Sequence, residues 1–275
     1  MRLAAFILAL LPAAAASAQV QPGHCVALSA APERIMPAAL DDAPVPAGSL
    51  RIRFVGHATF LIETAGGVRI ATDYAGFAGP GVTPDVVTMN RAHISHFTPD
   101  PDPAIGHVLR GWGAGPEDPA DHHLEVGDVL IRNVTTDIRG WSGREADANS
   151  IFIFESAGLC LAHLGHLHHE PSDAQYARIG RVDVVMVPVD GGYTMEQAAM
   201  IRVMKRLKAR LVLPMHWFGA ANLRAFLAGM RDDFAVIEEP VPELVVSLDT
   251  LPRRPTVMVL APLGGAMPRS LDPGD

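Results

Sequence analysis

Imidazole is the side chain best suited to hold a zinc-like ion at neutral pH, and this chain places its histidines at the ends of apolar runs. His93 and His96 follow Val86-Val87-Thr88-Met89. His163, His166, His168 and His169 crowd the end of Leu159-Cys160-Leu161-Ala162, and His216 closes Leu213-Pro214-Met215. Three such groups on separate segments meet only through folding, and that predicts a metal site. The expected ligands are His96, His166 and His216, with His93 as a fourth ligand or as an acid/base group beside them. Three histidines around one ion leave a position open, which lets a metal polarise a carbonyl and lower the pKa of a water to about 7. One divalent ion is expected, zinc first. Iron and manganese are the other candidates, because imidazole discriminates weakly among them. His24, His107, His122 and His123 read as ordinary surface or core histidines.

The elements that must position these residues fall into two series. Residues 51–55 alternate apolar and polar, and residues 58–63 and 68–72 flank Ala65-Gly66-Gly67, a hairpin signal. Residues 85–89, 128–134, 150–155 and 159–163 are further strand candidates. From there strands and helices alternate, with strands at 182–189, 210–214 and 234–237 and helices at 195–208 and 221–230. Two late strands, 244–248 and 256–260, complete the series. Thr194 and Gln197 have capping-box spacing ahead of Met200, Ile201, Met204 and Leu207, which share one helical face. Antiparallel strands followed by strand-helix alternation predict an α/β fold whose sheets are sandwiched between helix layers.

The chain has 275 residues, 49% of them hydrophobic, enough for one large core. Residues 1–18 carry Arg2, an apolar run and the ending Ala16-Ser17-Ala18, the pattern of a cleaved signal peptide. Residues 19–48 read as an Ala- and Pro-rich arm, 49–265 as the folded domain and 266–275 as a tail. The expectation is export to a bacterial periplasm without a membrane anchor. With 22 basic against 30 acidic residues, the chain is a poor nucleic-acid partner, and a small-molecule substrate is expected instead. The two cysteines, Cys25 and Cys160, form no scaffold or zinc-ribbon spacing. A buried Cys160 and a free Cys25 are the expected state. One disulfide between them is the alternative that export permits.

Gly56-His57-Ala58-Thr59-Phe60-Leu61-Ile62, Asn149-Ser150-Ile151-Phe152, the His163 cluster, residues 188–194 and Pro214-Met215-His216 occur in an order that resembles the metallo-β-lactamase superfamily. The similarity is to a branch that includes ascorbate-phosphate-lactonase-like hydrolases. It implies an αββα sandwich with metal held at one edge between mixed sheets. Relatives usually carry His-x-His-x-Asp-His after a strand. Here Arg91 stands at the first histidine, His93 and His96 remain, and Ser95 stands at the aspartate. A second register would match His96 and Asp100 instead. Where relatives show His-Leu-Gly-Asp, with a bridging aspartate, this chain has His163-Leu164-Gly165-His166. A neutral imidazole does not bridge two ions as a carboxylate can, so one metal is expected rather than two.

Around the ligands, His57 is expected to orient a neighbour by hydrogen bonding. Asp73, His163 and Asp190 are expected behind the ligands. Arg91 either binds a substrate carboxylate or phosphate or fills the emptied position with a salt bridge. The Trp112 and Trp141 loops are candidates to line a pocket. The expected reaction is hydrolysis by a metal-bound hydroxide of an ester, lactone, amide or phosphoester, with His93 shuttling the proton. A protein on the same fold that binds metal or ligand without catalysis is the alternative. No Ser-His-Asp elbow, P-loop or dinucleotide fingerprint competes.

Overall fold

Period-two alternation early in the chain and near-continuous apolar runs later give two kinds of strand, one to cover a single face and one to be buried on both. In a computed structural model, residues 23–26, 36–37, 43–115, 117–140, 143–239 and 241–263 are described. The expected signal peptide, the tail 266–275 and Trp141 lie outside them. The strands of the first half are β1 (Met36–Pro37), β2 (Ser49–Gly56), β3 (Thr59–Thr64), β4 (Arg69–Ala71), β5 (Val86–Met89), β6 (His107–Arg110), β7 (His123–Val126), β8 (Val129–Gly140) and β9 (Gly143–Ser156). They are followed by β10 (Leu159–His163), α1 (Asp173–Ile179), β11 (Val184–Pro188), α2 (Gln197–Leu207), β12 (Leu211–Met215), α3 (Ala220–Met230), β13 (Ala235–Glu239), β14 (Glu243–Ser247) and β15 (Thr256–Leu260).

One sheet has the order β1-β14-β2-β3-β4-β5-β6 and the other β13-β15-β12-β11-β10-β9-β8-β7. Their facing sides meet in a core of Leu50, Ile52, Phe54, Phe60 and Ile62 against Phe152, Phe154, Leu161, Met186 and Leu213. Alternate residues of the second sheet, such as Ile153, Ala162, Val185 and Val212, pack outward on Met200, Val203 and Met204 of α2 and Leu223, Phe226 and Met230 of α3. The outer face of the first sheet, with Val55, Leu61, Ala71, Val87 and Met89, is covered by Tyr74, Ala78 and Ile105 from connecting segments. The fold is the expected mixed α/β sandwich. Among the described residues, all three helices belong to the second sheet's side.

Several local expectations are corrected. The Thr194/Gln197 capping box does not form: α2 starts at Gln197 with Glu196 as an N-cap that makes no side-chain cap bond. Thr194 Oγ1 instead donates to Asp190 Oδ1 at 2.5 Å, and Gln197 Nε2 donates to the carbonyls of Val189 and Asn222. The strand-to-helix turn has a buried carboxylate to satisfy, and that demand overrides the cap. A capping box does occur at α1, between Ser172 and Gln175, in a helix that was not expected. Strands β6 and β7 were also missed, and β8 and β9 run on into one long hairpin paired as far as Gly140↔Gly143. Cys25 is not free. It is disulfide-bonded to Cys160, with Cα atoms 5.7 Å apart, in a segment held by Arg181 N–H to the Cys25 carbonyl at 2.7 Å and by Cys25 N–H to Glu155 at 3.1 Å. Met36 and Pro37, from the Ala- and Pro-rich arm, pair with β14. No helix among the described residues is long and apolar enough to cross a membrane.

Candidate metal centre

Parallel strands end together, and the loops leaving their carboxyl ends share one edge of the sandwich. Six such loops carry polar side chains to that edge: His57 after β2, Asp73 after β4, His93 and His96 after β5, His166 after β10, Asp190 after β11 and His216 after β12. The β2–β3 ladder shifts register between Phe54 and Gly56, which sets His57 at the turn. Three of these residues have left-handed backbone, His57 with φ 51°, Asp73 with φ 39° and His216 with φ 57°. For non-glycine residues each such conformation costs on the order of 1–3 kcal/mol and is held only by its surroundings. Here the holding contacts include His216 N–H to the His57 carbonyl at 2.7 Å and Thr59 Oγ1–H to the Asp73 carbonyl at 2.9 Å.

The nitrogens of His57, His93, His96 and His216 available for ligation lie within 4.8 Å of one another. His166 falls outside that group, although its ring centroid is 5.0, 4.8 and 4.9 Å from those of His93, His96 and His216. By that measure His57, expected beside the ligands, lies inside the group and His166, expected as a ligand, lies outside it. His96 and His216 are wholly buried, and their Nε2 atoms face each other at 3.1 Å. Behind them stand carboxylates. Asp73 Oδ2 is 2.5 Å from His96 Nδ1, and Asp190 Oδ1 is 3.1 Å from His216 Nδ1. The second pair is at ion-pair distance but lacks good hydrogen-bond alignment, and His216 Nδ1 has no other partner.

Each carboxylate is itself fixed. Asp73 Oδ1 accepts Asn90 Nδ2–H at 2.8 Å, and Asn90 Oδ1 accepts Ser150 N–H at 2.7 Å. Asp190 Oδ2 accepts the amides of Gly192, Tyr193 and Thr194 at 2.9, 2.6 and 3.1 Å. Burial by itself would raise the Asp190 pKa. The nearby His216, the Thr194 bond and these amides override it and hold the group below the usual carboxylate range. At Asp73 burial wins and pushes the carboxyl up to about 6, against the pull of His163 and the Asn90 bond. The imidazoles move the other way. Burial, then the neighbouring His216, lowers His57 to about 3 and keeps His96 and His93 below their ordinary range. His57, His93 and His96 are therefore held toward the neutral form, with lone pairs available.

The other expected residues separate by contact. His163 Nε2 lies 2.8 Å from the Ala58 carbonyl, and Gly165 N–H reaches its Nδ1 at 3.1 Å. Both nitrogens are used, so His163 ties β10 to the His57 turn. Gly165, at φ 58°, is required: a Cβ there would lie 2.3 Å from Asn90 Nδ2 and 2.5 Å from Asn149 Oδ1. His93 is half-buried, with Nδ1 2.7 Å from Ser95 Oγ. Asp100 is exposed, so the alternative register finds no support. Arg91 pairs with Glu145 at 2.9 Å on the rim of a cleft of about 540 Å³ that Trp112 also lines. That cleft is not lined by the cluster histidines. Asn90 and Arg139 were not singled out from the sequence. A buried asparagine ending the apolar strand β5 was the available signal for Asn90.

An ion fits this arrangement. An imidazole whose Nδ1–H faces a carboxylate presents a lone pair at Nε2 in its neutral form, and two such lone pairs at 3.1 Å repel unless a proton or cation lies between them. Two nitrogens each bound about 2.0–2.1 Å from a tetrahedral zinc stand roughly 3.3 Å apart, close to the observed separation. His57 Nε2, buried and without a hydrogen-bond partner, is a third donor awaiting use.

Known proteins agree with the geometry. Residues 51–216 match the family model for a beta-lactamase superfamily domain. A UPF0173 metal-dependent hydrolase of Methanosphaerula palustris is 26% identical over 185 residues, covering 61% of this chain and 84% of that protein. A UPF0173 protein of Pyrococcus abyssi is 22% identical over 196 residues, covering 64% and 89%. A solved structure from Thermotoga maritima, assigned as a Zn-dependent hydrolase of the metallo-beta-lactamase superfamily, superposes with TM-score 0.55 at 27% identity, covering 77% of this chain and 98% of that one. The chain belongs to the metallo-β-lactamase superfamily.

Proposed function

We propose that the protein is an exported metal-dependent hydrolase that holds one divalent ion, zinc first, at the edge of its sandwich and cleaves an ester, lactone, amide or phosphoester of a small molecule. The observation that carries this reading is the pair of buried Nε2 atoms 3.1 Å apart, each on an imidazole backed by a carboxylate. His96 and His216 would hold the ion, with His57 as a third ligand and His93 beside it as the acid/base group. Bound there, the ion supplies a Lewis acid that polarises the bond to be cleaved and acidifies a water. The relatives' names support hydrolysis as the class of reaction.

The chain's own residues do the rest. Asp73 fixes the tautomer and direction of His96 and raises its basicity as a ligand, and Asp190 stands behind His216 at ion-pair distance. His93 faces Ser95 Oγ, a hydroxyl that both donates and accepts, so its ring proton can sit on either nitrogen. That freedom suits a group which takes a proton from one oxygen and delivers it to another. Phe218, 60% exposed, packs beside His57 and His216, and Tyr193, 68% exposed, packs on Phe218. Together they offer an apolar wall to the substrate. The disulfide between Cys25 and Cys160 supports export, because such bonds persist in oxidising compartments such as the periplasm.

The test is metal analysis of protein purified without a histidine tag, with a panel of 4-nitrophenyl esters, lactones and phosphodiesters assayed with added zinc, iron or manganese. About one equivalent of metal and hydrolysis lost in His216→Ala are expected. Less than about one-tenth of an equivalent after loading overturns the metal site. A fully loaded protein inert to the whole panel would favour the non-catalytic binding reading.

A further inference from the structure

His166 stands where the family's pattern has a carboxylate, and it is only 3% exposed, among the rings of His93, His96 and His216. Its Nδ1 lies 2.6 Å from His168 Nε2, and its Nε2 is buried with no hydrogen-bond partner. The far nitrogen of His168, Nδ1, receives the backbone N–H of Arg139 at 2.5 Å.

That backbone amide can only donate, so His168 Nδ1 must carry a lone pair. An imidazole has at least one ring proton, and His168 must therefore hold its proton on Nε2. It donates that proton to His166 Nδ1, which is thereby an acceptor. His166 in turn has only Nε2 left for its own proton. A protonated ring nitrogen has no lone pair to give a metal. Arg139 is held in place independently, since its guanidinium donates to the carbonyls of Gly192, Tyr193 and Thr194 at 2.8, 2.9 and 2.6 Å. Asn149 Oδ1 fixes the other side of the loop by accepting the His166 amide at 2.8 Å.

We propose that His166 is not a ligand: the relay from Arg139 N–H through His168 locks it in the Nε2–H tautomer, so that it donates a hydrogen bond to an oxygen of the substrate beside the ion. The proposal rests on the hydrolase reading for the identity of that oxygen, a carbonyl or phosphoryl oxygen on which negative charge develops. A neutral N–H aimed at that charge from a dry site stabilises it without taking up a proton. His93 and His166 then have opposite designs. One has a partner that lets its proton move, and the other has a partner that forbids it.

The experiment combines zinc titration with ¹⁵N-histidine NMR. His166→Ala and His166→Gln should bind zinc with the parent's stoichiometry and within about threefold of its affinity, whereas His96→Ala should lose it. With 4-nitrophenyl acetate, or whichever panel ester is turned over, His166→Ala should lower kcat by about 10²–10³ with a smaller change in KM. His166→Gln, which restores an N–H near the same place, should recover part of the loss. In the unmutated protein, His166 should show the Nε2–H tautomer with and without zinc, and His168→Ala should release it. Loss of zinc in both His166 variants, or an Nδ1–H tautomer for His166, overturns the proposal. Failure of the parent to bind zinc would overturn the hydrolase reading alone, because the tautomer is read in metal-free protein.

Discussion

Replacing Asp73 with asparagine isolates what a carboxylate contributes behind a ligand. Asp73 is wholly buried and has two donors to satisfy, His96 Nδ1–H at 2.5 Å and Asn90 Nδ2–H at 2.8 Å. Asparagine has the same shape but one carbonyl oxygen and one NH₂. If the oxygen turns to Asn90, the NH₂ meets His96 Nδ1 and drives its proton to Nε2, which removes the lone pair facing His216. If the oxygen turns to His96, two NH₂ groups oppose each other, because Asn90 cannot rotate without breaking its Oδ1 bond to Ser150 N–H at 2.7 Å. The first rotamer protonates the nitrogen that must ligate, and the second leaves a buried donor unmatched, so either one weakens the site. Loss of such a partner costs 10–100-fold in metal affinity, or about 1.4–2.7 kcal/mol. Competition titration against a zinc chelator at pH 7.5 measures this directly, with circular dichroism as the check on folding. Asp73→Asn binding zinc within twofold of the parent would refute the reasoning, since His96 would then not depend on Asp73 for its tautomer.

Two further outcomes follow from bonds and charges elsewhere. The disulfide closes a loop between positions separated by 135 residues, worth about 5 kcal/mol on the chain-entropy model, with 2–4 kcal/mol more typical of measured bonds. Urea denaturation with and without reductant should show a loss of at least about 2 kcal/mol, and thiol titration of the untreated protein should find no free cysteine. The metal-free protein should lose stability as pH falls below about 6.5. His57 and His168 have folded pKa values of about 3 and about 4, and His96 and His166 are also lowered, all chiefly by burial. The unfolded chain therefore binds protons that the folded chain refuses. Asp73, raised to about 6, acts in the opposite sense between about 4 and 6, but it is one carboxyl against four imidazoles. A urea midpoint for chelator-treated protein that is higher at pH 5 than at pH 7.5 would contradict this balance.

Fold class and the approximate site were legible because both depend on local pattern. Alternation in 51–55, the glycines at 66 and 67 and the all-apolar runs of β10, β11 and β12 declare strands whatever they later touch. Histidines after such runs sit at strand ends for the same reason. Where local pattern competed with a buried group, it misled: Thr194 and Gln197 have cap spacing, but Asp190 at the end of β11 takes the threonine. The helix α1 is too short for a clear period, and β6 and β7 are edge strands of only 4 residues, too short to stand out although β7 alternates polar and apolar.

By itself the sequence determined which residue types stand at which strand ends, and hence that imidazoles and carboxylates would meet at one edge. Only the tertiary structure decided which nitrogen of each ring faces the centre. Asp73 turns the His96 lone pair inward, Asp190 stands behind His216, and the Arg139 amide, acting through His168, turns His166 the other way. A histidine has two chemically different nitrogens, and its partners choose between them. Those partners lie as far as 29 residues away in the chain, where no spacing rule reaches.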